Sequence, residues 1–274
     1  MIKKTFKLFD NGNETSKTVR EKVRQLLLST RKFAENKNAE FNVAIGGDGC
    51  FLHMVRACKF NPDYKFVGIH TGTLGFLQEV GSTDEALEQF VTDLAKENFR
   101  ESHASYITSK IARTARGRHK SVNFLNEIIV EDINHKTAFL NIEVDGTHLQ
   151  HFAGRGMLIC SAIGSTAQNV NERGAVIPAR YHALQMTPLT PLTAHANFVA
   201  PLIIPDTEAN IVITPEHRTT DLLITGDGVE HRAPSASKVL VTLAPKKISR
   251  LKMPNSPNAY EKINDKFLSN KRCK

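Results

Sequence analysis

Cysteine is scarce in this chain of 274 residues, and the four present, Cys50, Cys58, Cys160 and Cys273, stand far apart. No CxxC pair and no Cys/His ligand spacing occurs, which excludes a disulfide framework or a zinc module and leaves reduced thiols as the expected state. No apolar run approaches the roughly eighteen residues of a membrane helix. The opening Met1-Ile-Lys-Lys-Thr-Phe-Lys is positive but lacks the apolar core and cleavage site of a signal peptide. The expected address is the cytoplasm. Internal repeats and low-complexity stretches are missing too, and 41% hydrophobic with 23% charged residues excludes a disordered or collagen-like chain.

Positive charge is in excess, with 36 Lys+Arg against 28 Asp+Glu and a formal net charge of +8. A basic protein attracts polyanions: nucleic acid, anionic lipid or phosphorylated small molecules. The excess concentrates in Arg113 to Lys120 and in Lys246 to Lys274, each of which also reads as a solvated loop or tail. No aromatic-rich sheet motif accompanies it, so nucleic acid is not the expected partner.

Strand and helix alternate over the first hundred residues. Strands are expected at Lys3–Phe9, Phe41–Ile45 and Lys65–Ile69, and helices at Ser16–Asn36, Phe51–Cys58 and Asp84–Lys96, the last capped by Ser82 or Thr83. This order predicts an α/β domain with a doubly wound parallel sheet. Beyond residue 100 the segments are short and β-branched: Ser105–Thr114, Ser121–Glu131, Thr137–Val144, His148–Gly154, Val199–Ile204, Ala209–Thr214, Leu222–Thr225 and Lys238–Leu243. Hairpin turns are expected at Asp145-Gly146 and Asp227-Gly228. The expected division is 1–100 α/β, 101–244 mostly antiparallel β, and 245–274 a basic, weakly helical segment, either packed on the first domain or loose.

Four local features carry chemistry. Ile45-Gly46-Gly47-Asp48-Gly49-Cys50 follows a buried strand and opens a helix, so its amides suit an anion, and its carboxylate suits a proton or a metal beside one. It is neither a GxxxxGK[ST] loop nor a GxGxxG fingerprint, which argues against a dinucleotide oxidoreductase. His70-Thr71-Gly72-Thr73-Leu74-Gly75-Phe76-Leu77 is a second glycine loop after a strand; both loops would open at the carboxyl edge of the sheet. Asn126-Glu127 places a carboxamide and a carboxylate in a strand-like run, either as ligands for a nucleoside or as an edge pair in water. Gly164-Ser165-Thr166-Ala167-Gln168 is either an anion-binding junction or a helix cap by Ser165 or Thr166.

Taken in order, GGDG, HTGTLGFL, LNE, GSTA and TGDG make residues 40 to 230 resemble the NAD kinases, the ATP- or polyphosphate-NAD kinases related to diacylglycerol and sphingosine kinases. GGDG is shared with the lipid kinases, whereas LGFL, LNE and GSTA are specific to NAD kinases. The resemblance implies an N-terminal α/β domain, a C-terminal β domain and a nucleotide site between them. It implies Asp48 as the catalytic aspartate, acting on the 2′-hydroxyl of the NAD adenosine ribose. It places Gly46, Gly47, Gly49, Thr71, Gly72, Leu74, Gly75 and Phe76 around the phosphates and nucleotide. Asn126 and Glu127 would hold adenosine, Thr166 and Ala167 would line the adenine pocket, and Asp227 would lie near the reactive ribose. Mg²⁺ with ATP, NAD as substrate, and a homodimer or homotetramer are further implications, with no resident metal ligands and no membrane contact.

The chain departs from the family pattern at several positions. Arg155 in Ala153-Gly154-Arg155-Gly156 replaces the aspartate of RGDG, which helps recognise the dinucleotide. Ile163 replaces a hydroxyl residue, Gln168 a tyrosine, and Asn171 a common serine. These changes predict altered dinucleotide affinity or specificity. The alternatives are a lipid kinase of the same superfamily and a nucleotide-binding relative without turnover.

Overall fold

In the computed structural model, residues 3–72, 75–113, 119–192, 198–216 and 218–269 are described. Leu74, the basic stretch 114–118 and Cys273 lie outside them. In chain order the first elements are β1 (Lys4–Asp10), α1 (Glu14–Ser29), β2 (Phe33–Glu35), β3 (Phe41–Ile45), α2 (Asp48–Ala57), β4 (Lys65–Ile69), α3 (Asp84–Lys96) and β5 (Arg100–Ala104). Then follow β6 (Ile107–Arg113), β7 (His119–Phe124), β8 (Glu127–Asp132), β9 (Ala138–Val144), β10 (Thr147–Ser161), α4 (Gln168–Asn171), β11 (Ala183–Pro191), β12 (Leu202–Pro205), β13 (Ile211–Pro215), β14 (Leu222–Gly226), β15 (Val229–Ala233) and β16 (Ala236–Leu243). The chain closes with β17 (Ile248–Lys252) and α5 (Ala259–Ile263). Two compact units result, Met1–Ala104 with Ile248–Lys274, and Ser105–Lys247.

The first unit is built on a six-stranded sheet of order β2-β1-β3-β4-β17-β5, parallel except for the β17–β5 pair. Alternation along β3 assigns its two faces. Phe41, Val43 and Ile45 join Val23 and Leu27 of α1 and Leu87 and Phe90 of α3 in one core cluster. On the opposite face Asn42 accepts a hydrogen bond from the thiol of Cys58, which caps α2. Helices thus cover both faces, as a parallel sheet requires. The chain leaves β1 toward β2 on one side and leaves β3 toward β4 on the other, so the strand order reverses between β1 and β3. In open α/β sheets such a reversal is where ligands bind, beyond the carboxyl ends of the strands.

The second unit is a largely antiparallel eleven-stranded sheet with the path β15-β14-β8-β10-β9-β13-β16-β6-β7, to which β11 and β12 attach through β10. Its long strand β10 pairs with β9 along its first half and with β8 and β11 along its second. Both Asp-Gly hairpin turns have positive φ at each residue, 48° and 78° at Asp145-Gly146 and 48° and 74° at Asp227-Gly228. That twist matches the flanking strands.

Several expectations are corrected. The first helix stops at Ser29 rather than Asn36: Arg31 is left-handed at φ 58°, and Phe33 packs edge-on against Phe41, 6.0 Å between centroids, as part of β2. The second helix begins at Asp48, before Phe51. The single run 121–131 is two strands interrupted at Leu125-Asn126. Strands β5, β11 and β15 have no counterpart in the expected set. Pro188 and Pro191 lie within β11, where β12 pairs only with Ala183–Met186 and leaves the rest an edge on that side. The basic tail forms a strand, β17, inside the first sheet rather than helix alone.

Candidate active site

The turn after β3 brings Asp48 to the first residue of α2, with Gly47 as the extended N-cap. The Asp48 carboxylate reaches the second glycine loop. Phe76 N donates to Oδ2 and Leu77 N donates to Oδ1, both at 3.0 Å. Residue 75 must be glycine for this contact, because a Cβ there would stand 2.1 Å from Asp48 Oδ1. Gly46 is buried and its amide donates to Ile69 O at 2.9 Å, whereas the amides of exposed Gly47 and Gly49 have no partner among the described residues. Thr71 is half-buried, Gly72 exposed, and the His70 Nδ1–H donates to the Gly72 carbonyl at 2.8 Å. A carbonyl only accepts, so that ring nitrogen carries the proton.

The second unit gathers Asn126, Glu127 and Asp227. Asp227 sits in the β14–β15 turn, and its carboxylate accepts from Leu125 N at 2.5 Å and Asn126 N at 2.9 Å. Those two amides have no ladder partner, which is why the strand breaks there. The Asn126 carbonyl accepts from Ser161 N at 2.8 Å, and Gly164 lies so close that a Cβ would be 2.0 Å from the same oxygen. Asn126 and Glu127 are 7% and 8% exposed, so they are not an edge pair in water. Burial first, then the nearby Asp227 charge, pushes the Glu127 carboxyl up to about 8, against the opposing pull of the Gln168 backbone amide. At neutral pH this group is a carboxylic acid, able to donate as well as accept. Asn126 Oδ1 and Glu127 Oε2 are buried without a hydrogen-bond partner among the described residues. Buried polar atoms left open in this way fit a ligand that completes them.

Around this cluster, Ile163 and Thr166 bound a 3-10 turn that ends at Ala167, and Gln168 starts the short helix α4. Neither Ser165 nor Thr166 caps α4. Ser165 Oγ donates its one proton to Ala162 O at 2.8 Å and accepts from Ile177 N at 2.8 Å, while Thr166 Oγ1 donates to Ile163 O. Asn171 ends α4 and is exposed. Arg155 lies farther along β10, with Nε 3.7 Å from Glu131 and an Nη 3.9 Å from Glu172. Opposite Glu127 on β10 stands Cys160, so the structure does not bring Arg155 beside that carboxyl.

Sequence reasoning missed three contributors. Asn11 follows β1 at the strand-order reversal, and its side chain packs beside Gly46; the Asn-Gly-Asn turn after a strand was an available signal. Gln78 donates from Nε2 to Gly46 O at 3.3 Å and ties the two glycine loops together. Buried Asn169 accepts from Thr187 Oγ1 at 2.7 Å and donates to Ser165 O, fixing the α4 turn, with no signature in the local sequence.

Among the described residues no three His, Cys, Asp or Glu side chains gather as a metal cage. A single carboxylate, Asp48, beside the exposed Gly47 and Gly49 is too small a donor set to hold a divalent cation unaided, and it fits a cation carried on nucleotide phosphates.

Residues 1–99 match the ATP-NAD kinase N-terminal domain and residues 125–252 the ATP-NAD kinase C-terminal domain. A Finegoldia magna protein named NAD kinase is 30% identical over 260 residues, spanning 90% of this chain and 92% of its own length. A Streptococcus mutans protein of the same name is 30% identical over 267 residues, spanning 94% and 92%. Among solved structures, yeast NADH kinase complexed with NADH has a TM-score of 0.84 at 16% identity, covering 98% of this chain and 89% of that one. An NAD kinase from Archaeoglobus fulgidus in complex with ATP has a TM-score of 0.75 at 17% identity, covering 96% and 99%. These two likenesses establish the fold.

Proposed function

Because this chain belongs to the ATP-NAD kinase family, we propose that it transfers the γ-phosphoryl group of ATP to the 2′-hydroxyl of the adenosine ribose of NAD, giving NADP and ADP. The observation that carries this reading is the Asp48 carboxylate, fixed at the head of α2 by the Phe76 and Leu77 amides. A secondary hydroxyl is a poor nucleophile, so an oriented carboxylate that takes its proton is the contribution a protein can make. The hydroxyl oxygen then bonds to the γ-phosphorus as the bond to the ADP oxygen breaks. The amides of Gly47 and Gly49, with the positive end of α2, suit the phosphates. Asn126 and Glu127 suit the adenosine portion, Thr166 and Ala167 the adenine, and Asp227 supports them by holding the Leu125-Asn126 backbone.

Mg²⁺ entering with ATP supplies charge neutralisation on the phosphates. Asp48 is the residue that would meet that ion. A cytoplasmic homodimer or homotetramer is part of the same proposal, in keeping with the three described cysteines, which are free and buried. No helix among the described residues is long and apolar enough to cross a membrane.

The second reading is a nucleotide-binding relative without turnover, motivated by Arg155 and Gln168 at recognition positions. An assay coupled to NADP formation, with ATP, Mg²⁺ and NAD and then with NADH or polyphosphate, separates the two. Turnover that disappears in Asp48→Asn supports the kinase. Absent turnover, with NAD or ATP still raising the melting temperature, supports the relative.

A further inference from the structure

The segment that holds Asp48 is itself held from behind. Glu79, whose side chain is 1% exposed, accepts at Oε1 from Arg250 Nη2 at 3.2 Å, Lys252 Nζ at 2.5 Å and Lys262 Nζ at 3.1 Å. Burial alone would raise the Glu79 carboxyl, but the three cations outweigh it and keep the group below the usual carboxylate range. One carboxylate does not neutralise three cations. The surplus is directed at backbone: Lys262 Nζ also donates to Phe76 O at 3.1 Å and Gln78 O at 2.5 Å, and Arg250 Nη2 to Leu77 O at 3.4 Å. Three successive carbonyls, 76 to 78, therefore face cations from β17 and α5, while the amides of 76 and 77 face Asp48.

One peptide group connects the two sides. The plane joining Phe76 and Leu77 carries the Phe76 carbonyl, bonded to Lys262, and the Leu77 N–H, bonded to Asp48. In a planar trans peptide these two bonds point in opposite directions, so fixing one aims the other. An ammonium on the oxygen also polarises the N–H toward its acceptor. Lys262 is 3% exposed, and burial lowers its ammonium to about 8 despite Glu79, a cost that surface placement would avoid.

We propose that Lys262 is a positioning residue for Asp48, acting through the Phe76–Leu77 peptide group, with Glu79 and Arg250 holding the same segment. The inference deepens the kinase reading, and part of its test is independent of that reading. The test compares wild type, Lys262→Met and Lys262→Arg in the full chain, by steady-state kinetics and by hydrogen exchange at individual amides. Lys262→Met is expected to lower kcat about tenfold or more with both KM values within about threefold, and Lys262→Arg to recover most of the loss. In Lys262→Met the Leu77 amide is expected to lose at least about tenfold more protection than the amides of β3. Leu77 protection that falls only in step with β3, or a kcat equal to wild type, overturns the proposal. Should Lys262→Met fail to fold, Lys262→Gln keeps N–H donors without charge and is judged by the same readouts. If wild type makes no NADP, the kinase reading fails while exchange at Leu77 still decides the role of Lys262.

Discussion

A methyl group on Gly75 would stand 2.1 Å from Oδ1 of Asp48. The missing side chain at one loop position therefore makes room for the carboxylate of another. Gly75→Ala is expected to displace Asp48 from the Phe76 and Leu77 amides, to cost about 1–3 kcal/mol of stability, and to lower kcat more than it raises either KM. Chemical unfolding and steady-state kinetics check it. A variant with wild-type kcat would separate the cradle from the reaction.

Asp48→Asn keeps the volume but replaces one accepting oxygen with an NH₂ that faces a backbone N–H. The expected loss in kcat is on the order of 10²–10⁴, with NAD and ATP still binding. Calorimetric titration of both ligands alongside the assay tests this. Retained turnover would remove Asp48 as the base.

Glu127 gives the fold a pH dependence of definite sign. Its carboxyl is raised in the folded state to about 8 from an ordinary value of 4.5. Between those values the folded chain holds a proton that the unfolded chain has lost, so stability declines as pH rises through this window and the decline is complete above 8. Glu127→Gln does not titrate. It is expected to match wild type near pH 5 and to exceed it near pH 9 by on the order of 3 kcal/mol. Urea unfolding at both pH values reads the difference, and an equal gap at each would show that Glu127 is not protonated in the fold.

Arg155→Asp places a third carboxylate near Glu131 and Glu172. Both present contacts are long, and Arg155 is half-exposed, so the stability loss is expected to stay below about 1 kcal/mol. The KM for NAD is expected to change more than that for ATP. An unchanged KM for NAD takes Arg155 out of dinucleotide recognition.

The parts of the fold legible in the sequence are those whose burial is locally encoded. β3 and β4 were bounded correctly because apolar runs stop at glycine turns, and α3 because Thr83 accepts from Ala86 N as its cap. β5, Arg-Glu-Ser-His-Ala, has no apolar alternation and is a strand because distant β17 pairs with it. The motif positions were likewise readable as residue types within each unit, the glycines and Asp48 in the first, Asn126 and Glu127 in the second. Their partners were not. The groups holding Asp48 are main-chain amides of a phenylalanine and a leucine, and any residue but proline offers the same donor. Asp227 was legible as a turn residue, whereas its grip on Leu125 and Asn126, about a hundred positions away, was not.

The return of β17 and α5 to the first sheet sets an order of events during synthesis. Glu79 leaves the ribosome 171 residues before Arg250 and 183 before Lys262. At roughly 5–20 residues per second, the nascent chain carries an unneutralised glutamate and an unfilled position beside β4 for about nine to thirty-seven seconds. The intervening β unit emerges whole in that interval, whereas the loop beneath Asp48 must await residues 248–262. A ribosome stalled before residue 248 would thus present the entire GGDG motif on an unfinished sheet, with the carbonyls of 76 to 78 still without their cations.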